Sequence, residues 1–214
     1  MKEYCKEMLE LCKTLLSVLS ENLGLPPDYL KEAFGNEESI GICVRINYYP
    51  VCPEPELTYG LSPHSDPGGI TVLLQNDVVG LQVRKKDYWV PVRPVANALT
   101  INLGDQIEVS ASNNILFQVD KVVSGFLLSF AQILTNGIYK SVEHSCVVNK
   151  KKERMSIVVF CNPNGEKEVG PIKDLIDESN PPRYGQMTFN EYRKFIRTTG
   201  TKGKSYVNTT INFR

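Results

Sequence analysis

The chain carries no surplus of either charge: 24 Lys and Arg balance 24 Asp and Glu. A protein that holds nucleic acid or an anionic membrane through a basic surface is therefore not expected. Histidine is scarce, with only His64 and His144, so a three-histidine zinc site within one chain is excluded. No CxxC pair occurs among Cys5, Cys12, Cys43, Cys52, Cys146 and Cys161, and the six form no dense framework. Reduced thiols in an intracellular, cytoplasmic protein are the reading. No apolar run approaches the roughly 18 residues of a membrane span. The opening MKEYCKEMLE is mixed in charge, without the apolar stretch of a signal peptide. There is no internal repeat or low-complexity tract, and nothing points to an obligate protein partner. What remains is a 214-residue chain, 42% hydrophobic, with the makeup of one globular domain.

Residues 1–34 read as helical. Tyr4, Met8, Leu11, Leu15 and Leu19 recur at helical spacing, Leu16 widens the stripe, and Gly24 is a natural stop. A short second helix follows Pro26-Pro27. The stripe needs a covering surface, and the chain opens inside the helical pattern, which suggests a missing upstream segment.

From Ile40 onward the period shortens. Strands are expected at 41–49, 70–74, 81–83 with 89–92, 99–103, 139–148 and 154–161, with a hairpin turn at Lys85-Lys86-Asp87. Short strands between turns favour an antiparallel sandwich or barrel over a βαβ sheet. Thr188-Phe189-Asn190-Glu191 has the form of a capping box, flanked by Met187 and Tyr192 as a hydrophobic staple, and opens a helix running to Gly200. Residues 201–214 are polar and read as extended or frayed.

His64-Ser65-Asp66 is the sharpest local feature. On extended backbone, side chains two apart face the same way, so His64 and Asp66 can share a ligand point, and distant His144 can complete two imidazoles and one carboxylate. Such a set leaves about three positions of an octahedral Fe(II) open. The residues also have plainer homes, in a surface turn or among satisfied neighbours. Arg154 and Ser156 share one face of a strand with Val158 and Phe160, joining a carboxylate-binding fork and a hydroxyl to an apolar wall. A rim ion pair and an ordinary strand serine are the alternative. Arg45, Asn47 and Tyr49 alternate on another face, where Arg45 is either a pocket cation or an outward charge, and Tyr49 a contact or a packing residue.

RINYYP (45–50), GLSPHSDPGGITVLLQ (60–75), GLQVRKKDYWVPV (80–92), INLGD (101–105), TNGIYKSVEH (135–144) and ERMSIVVFCNP (153–163) stand in an order that resembles the plant 2-oxoglutarate- and Fe(II)-dependent dioxygenases. The resemblance implies a mainly β fold with flanking helices, a double-stranded β-helix or jelly roll, N-terminally truncated. It implies iron ligands at His64, Asp66 and His144, and 2-oxoglutarate contacts at Arg154, Ser156, Tyr49 and, with a weaker role, Asn47. Phe160 matches an aromatic position of the organic-substrate pocket. The cofactors implied are Fe(II), 2-oxoglutarate and dioxygen, with ascorbate as reductant. The domain organisation expected is a helical segment, 1–38, packing on a jelly-roll domain, 39–214.

GLSPHSDPGG and FIRTTGTKGKS most resemble the jasmonate-induced oxygenase branch, also called leucoanthocyanidin-dioxygenase-like. That implies hydroxylation of jasmonic acid, a small carboxylic acid for which Arg45 and Arg197 are the candidate cationic partners. A flavonoid substrate is the enzymatic alternative, and a non-catalytic fragment the competing class.

Two departures stand out. The family has a larger N-terminal region before the first helix here. A 24-residue block, 109–132, separates GDQIE from ILTNGIYKSVEH and falls where a strand is expected to cross the jelly roll. Asp66 and His144 are 78 positions apart with the block and 54 without it, and the shorter interval matches the resemblance. Val109-Ser110 can be encoded by GTAAGT, Gln132 by CAG, and 126–130 by pyrimidine-rich codons, as in a translated retained intron; the alternative is an extra hairpin at 115–119 and 126–131. Reverse-transcription PCR across the junction decides this, because transcripts that all contain the block rule out the intron. A smaller departure is Ser145, where the family often has arginine.

Overall fold

The computed structural model describes residues 1–35, 39–106 and 141–199. Helix α1 (Lys2–Asn22) and the short α2 (Tyr29–Phe34) precede ten strands. These are β1 (Gly41–Tyr49), β2 (Tyr59–His64), β3 (Ile70–Gln75), β4 (Leu81–Lys85), β5 (Tyr88–Pro91), β6 (Thr100–Leu103), β7 (His144–Val147), β8 (Arg154–Asn162), β9 (Glu168–Val169) and β10 (Met187–Thr188). Helix α3 (Phe189–Thr199) follows.

The strands form two antiparallel four-stranded sheets, ordered β1-β8-β3-β6 and β2-β7-β4-β5, with β9 and β10 as a separate pair. Successive strands alternate between the two large sheets until the β4–β5 hairpin, then return in reverse, which is jelly-roll topology. The β4–β5 turn is the expected one: Lys85 pairs with Tyr88, leaving Lys86 and Asp87 at the tip, with Lys86 at φ 55°. That positive φ suits the tight turn of a twisted hairpin.

Both sheets obtain four strands from residues on either side of 107–140. Block 109–132, its hairpin at 115–119 and 126–131, and the tail 201–214 lie outside the described residues, as does most of the TNGIYKS segment. The strand expected over 139–148 is shorter: residues 141–143 are not strand, and β7 begins at His144. Strand β2 escaped the sequence pattern because YGLSPH contains Gly60 and Pro63 and pairs with β7 through two register shifts.

α1 ends where Gly24 allows it. Gly24 sits at φ 73°, its N–H donates to Glu21, and the Leu25 N–H reaches back to Ser20, closing a Schellman motif. The buried centre of the helix is Cys12, Leu16 and Ser20; Tyr4, Met8, Leu11, Leu15 and Leu19 flank it, partly buried. Leu16 is thus the middle of the stripe rather than its edge. These side chains join Leu30 and Phe34 of α2, Val159 and Cys161 of β8, and Ile70 and Val72 of β3 in one core. A fully buried leucine or phenylalanine contributes about 1.5–3 kcal/mol relative to exposure. The core thus lies on one face of the β1-β8-β3-β6 sheet and leaves the opposite face to line a cavity.

Candidate metal centre

The β1–β8 register sets Tyr49 opposite Arg154, Asn47 opposite Ser156, Arg45 opposite Val158 and Cys43 opposite Phe160. All eight side chains line a cavity of about 270 Å³. The intervening residues point the other way: Val44 and Ile42 pack on the core, while Ile46, Tyr48 and Met155 face solvent. One antiparallel ribbon thus presents two anion-binding side chains, an aromatic wall and an amide to the same space.

The metal-binding candidates meet at the opposite sheet. His64 closes β2, His144 opens β7, and the two are paired in register. Their ring centroids are 4.3 Å apart. Asp66 lies two residues beyond the end of β2, so its convergence comes from the turn after the strand and not from strand alternation. Its Oδ1 is 3.8 Å from His64 Nε2 and 3.7 Å from His144 Nε2, and the three donor atoms lie within 4.8 Å of one another. Both distances to Oδ1 are shorter than the span of two opposed ligand bonds of about 2.1 Å each.

Each ligand is held by its other polar atom. His64 Nδ1 lies 2.7 Å from the Ser62 carbonyl and His144 Nδ1 3.2 Å from the Val142 carbonyl. A carbonyl only accepts, so each Nδ1 carries the proton and each Nε2 turns its lone pair toward Asp66. Asp66 Oδ2 accepts hydrogen bonds from Thr71 Oγ1 at 2.7 Å and Asn102 Nδ2 at 2.8 Å, which leaves Oδ1 for a metal. Burial opposes ionisation of Asp66, but the two imidazoles and those hydrogen bonds outweigh it and hold the carboxyl below its usual range. Burial, and then the neighbouring His144, lower the pKa of His64 against the pull of Asp66. Ionised carboxylate and neutral imidazole are the forms that bind a divalent metal. The donor set fits Fe(II).

The backbone holds this turn closely. The Asp105 N–H donates to the Asp66 carbonyl at 2.7 Å, and a Cβ at Gly104 would lie 2.8 Å from that carbonyl oxygen and 2.4 Å from the Gly68 carbonyl oxygen. Only glycine lets INLGD approach so near.

Across the cavity, Arg154 is 3% exposed. Its Nη2 donates to Gln75 Oε1 at 2.8 Å, its Nη1 to Cys146 Sγ at 3.3 Å, and its Cζ stands 5.1 Å from the Tyr49 ring centroid. No carboxylate pairs with it among the described residues, and its Nε is buried without a hydrogen-bond partner. Ser156 receives only a long 3.5 Å contact from Asn47 Nδ2. A buried guanidinium with an unspent charge and an orphan donor is suited to a ligand carboxylate. Gly80 makes the room: a Cβ there would lie 2.6 Å from Arg154 Cδ.

At the cavity mouth, Arg45 stands 6.0 Å from the Phe160 ring centroid, and α3 contributes Phe189, Arg193, Ile196 and Arg197. α3 starts at the expected capping box. The Glu191 N–H donates to Thr188 Oγ1 at 3.2 Å, and the Thr188 N–H to Glu191 Oε2 at 2.8 Å. Tyr192 is fully buried beneath the helix and Met187 packs on the same core.

Residues 41–163 match the family model of the 2OG-Fe(II) oxygenase superfamily. The chain belongs to this superfamily. Jasmonate-induced oxygenase 2 of Arabidopsis thaliana is 48% identical over 213 residues, 99% of this chain and 51% of that protein. Flavanone 3-dioxygenase 2 of Oryza sativa subsp. japonica is 42% identical over 192 residues, 89% of this chain and 48% of that protein. The crystal structure of JOX2 in complex with 2OG, Fe and JA has 48% identity and a TM-score of 0.83, covering 98% of this chain and 55% of that one. The chain spans about half the length of the curated relatives it matches.

This oxygenase fold brings every nominated residue to one cavity: His64, Asp66, His144, Asn47, Tyr49, Arg154, Ser156, Phe160, Arg45 and Arg197. Four contributors escaped the sequence reading. Arg193 was within reach of it, being four residues before Arg197 on one helical face. Thr71 and Asn102 were not, because they meet only through the β3–β6 register. Gln75 supports Arg154 across two strands. Ser145, where the family often has arginine, is fully buried and accepts a hydrogen bond from Gln82 Nε2 at 2.9 Å. Among the described residues no helix is long and apolar enough to cross a membrane.

Proposed function

We propose that this chain catalyses the Fe(II)- and 2-oxoglutarate-dependent hydroxylation of a small carboxylic acid, with jasmonic acid as the favoured substrate. The observation that carries it is the convergence of His64, Asp66 and His144 in the same cavity as a buried arginine that has no carboxylate partner among the described residues.

His64 and His144 hold the iron through Nε2 and Asp66 through Oδ1. Thr71 and Asn102 keep the carboxylate turned, and the two backbone carbonyls keep the rings turned. Arg154 and Ser156 bind the distal carboxylate of 2-oxoglutarate, and Tyr49 walls that end. The bound iron, with 2-oxoglutarate and dioxygen, supplies oxidative decarboxylation to succinate and carbon dioxide coupled to substrate hydroxylation. Arg45, Arg193 and Arg197 receive the substrate carboxylate beside Phe160. None of the three has an acidic partner among the described residues, so their charge is available to a ligand. That grouping favours an acid over a neutral flavonoid.

The purified chain, given Fe(II), ascorbate, 2-oxoglutarate and either jasmonic acid or a flavonoid panel, is expected to release succinate in step with hydroxylated jasmonate. Flavonoid oxidation instead would move the substrate assignment. Absence of product and of substrate-stimulated succinate from folded, iron-loaded chain would leave a non-catalytic fragment.

A further inference from the structure

Arg154 is buried among neutral groups. Its three partners are the Gln75 amide, the Cys146 thiol and the Tyr49 ring, and none cancels its charge. Gln75 differs from the other two in position. It ends β3, pairs in register with Ser156, and stands behind Arg154 without lining the cavity.

The Gln75 amide is itself oriented. A guanidinium only donates, so the carbonyl oxygen is the end turned to Arg154 Nη2, at 2.8 Å, and Nε2 is left to donate to Thr100 Oγ1 at 3.3 Å. A chain of two hydrogen bonds thus runs from β6 through β3 to the guanidinium on β8, fixing the plane of the arginine while leaving Nε unpartnered. A carboxylate at position 75 would have the same reach and shape. It would also give Arg154 an ion-pair partner and compete with any incoming carboxylate.

We propose that Gln75 is a positioning residue for the co-substrate: it orients Arg154 toward a dicarboxylate and, being neutral, keeps the arginine's charge free to bind one. This rests on the assignment of Arg154 to the distal carboxylate of 2-oxoglutarate.

The test is calorimetric titration of 2-oxoglutarate into the anaerobic, Fe(II)-loaded 214-residue chain, parent against Gln75→Glu, with Fe(II) affinity and melting temperature measured alongside. Gln75→Glu is expected to weaken 2-oxoglutarate about 10–100-fold, the scale of losing one charge-assisted contact. Fe(II) affinity should be unchanged and the melting temperature no lower, because the variant gains an ion pair. A purely structural role predicts the reverse pattern, with a lower melting temperature and both ligands weakened together, and that result overturns the proposal. So does Gln75→Glu binding 2-oxoglutarate as tightly as the parent. If Gln75→Glu does not fold, Gln75→Leu carries the test, with an expected weakening of roughly 3–10-fold and no change in Fe(II) affinity; parental 2-oxoglutarate binding by that variant overturns the proposal. A parent chain that binds Fe(II) but not 2-oxoglutarate removes the assignment of Arg154 instead.

Discussion

The two ends of the cavity are built differently. At the metal end each ligand atom has a tied counterpart: His64 Nδ1 on Ser62, His144 Nδ1 on Val142, and Asp66 Oδ2 on Thr71 and Asn102. At the mouth, Arg45 and Arg193 lie over aromatic rings, and Arg45 and Arg197 are solvent-exposed. The first end is preorganised for one geometry; the second offers charge on long side chains that adapt to what enters. A rigid candidate metal end beside an adaptable mouth would let substrate choice change through a few side chains while the chemistry stays the same. Relatives named for jasmonate induction and for flavanones both fall within this superfamily at more than 40% identity.

The largest effect should come from breaking the rigid end. His144→Ala is expected to abolish Fe(II) binding in calorimetry, since the chain has no third imidazole to replace it. Retained stoichiometric binding would show that the three residues do not form the centre. Next in size, Arg154→Ala should weaken 2-oxoglutarate about 10–100-fold with Fe(II) affinity intact, separating the two subsites. Asn102→Leu tests the tied carboxylate. Removing one of the two donors to Oδ2 should lower Fe(II) affinity about 10-fold, and an unchanged affinity would mean that Thr71 suffices.

At the adaptable end, Arg193→Ala should raise KM for a carboxylic-acid substrate by roughly 10-fold and leave KM for 2-oxoglutarate unchanged. Parallel rises in both would contradict a division of labour between the ends. The smallest expected effect is at the base of α3. Thr188→Ala removes the helix cap at a cost of about 1 kcal/mol, a drop of roughly 2–4 °C in Tm by scanning calorimetry. Its influence on turnover should appear in substrate KM and not in Fe(II) affinity.

The local parts of this molecule were legible from its residues. The span of β1, the Lys86-Asp87 turn, the Gly24 stop and the Thr188–Glu191 box each follow from backbone rules acting within a few positions. The residues proposed for iron and co-substrate were nominated through a family pattern spread along the chain, and they line one cavity. β2 was not legible, because a proline, a glycine and two register shifts hide its alternation.

By itself the sequence determined which chemistry was present: two imidazoles, a nearby carboxylate, an arginine and serine on one strand face, and no excess charge to suggest another partner. Only the tertiary structure decided that His64 stands opposite His144, that Thr71 and Asn102 share one carboxylate oxygen, and that Gln75 sits behind Arg154. The reason is register. Side-chain direction along a strand is fixed locally by the pleat, but which side chain it meets is fixed by hydrogen bonding to a strand far away in sequence, and a slip of one residue would break these pairings.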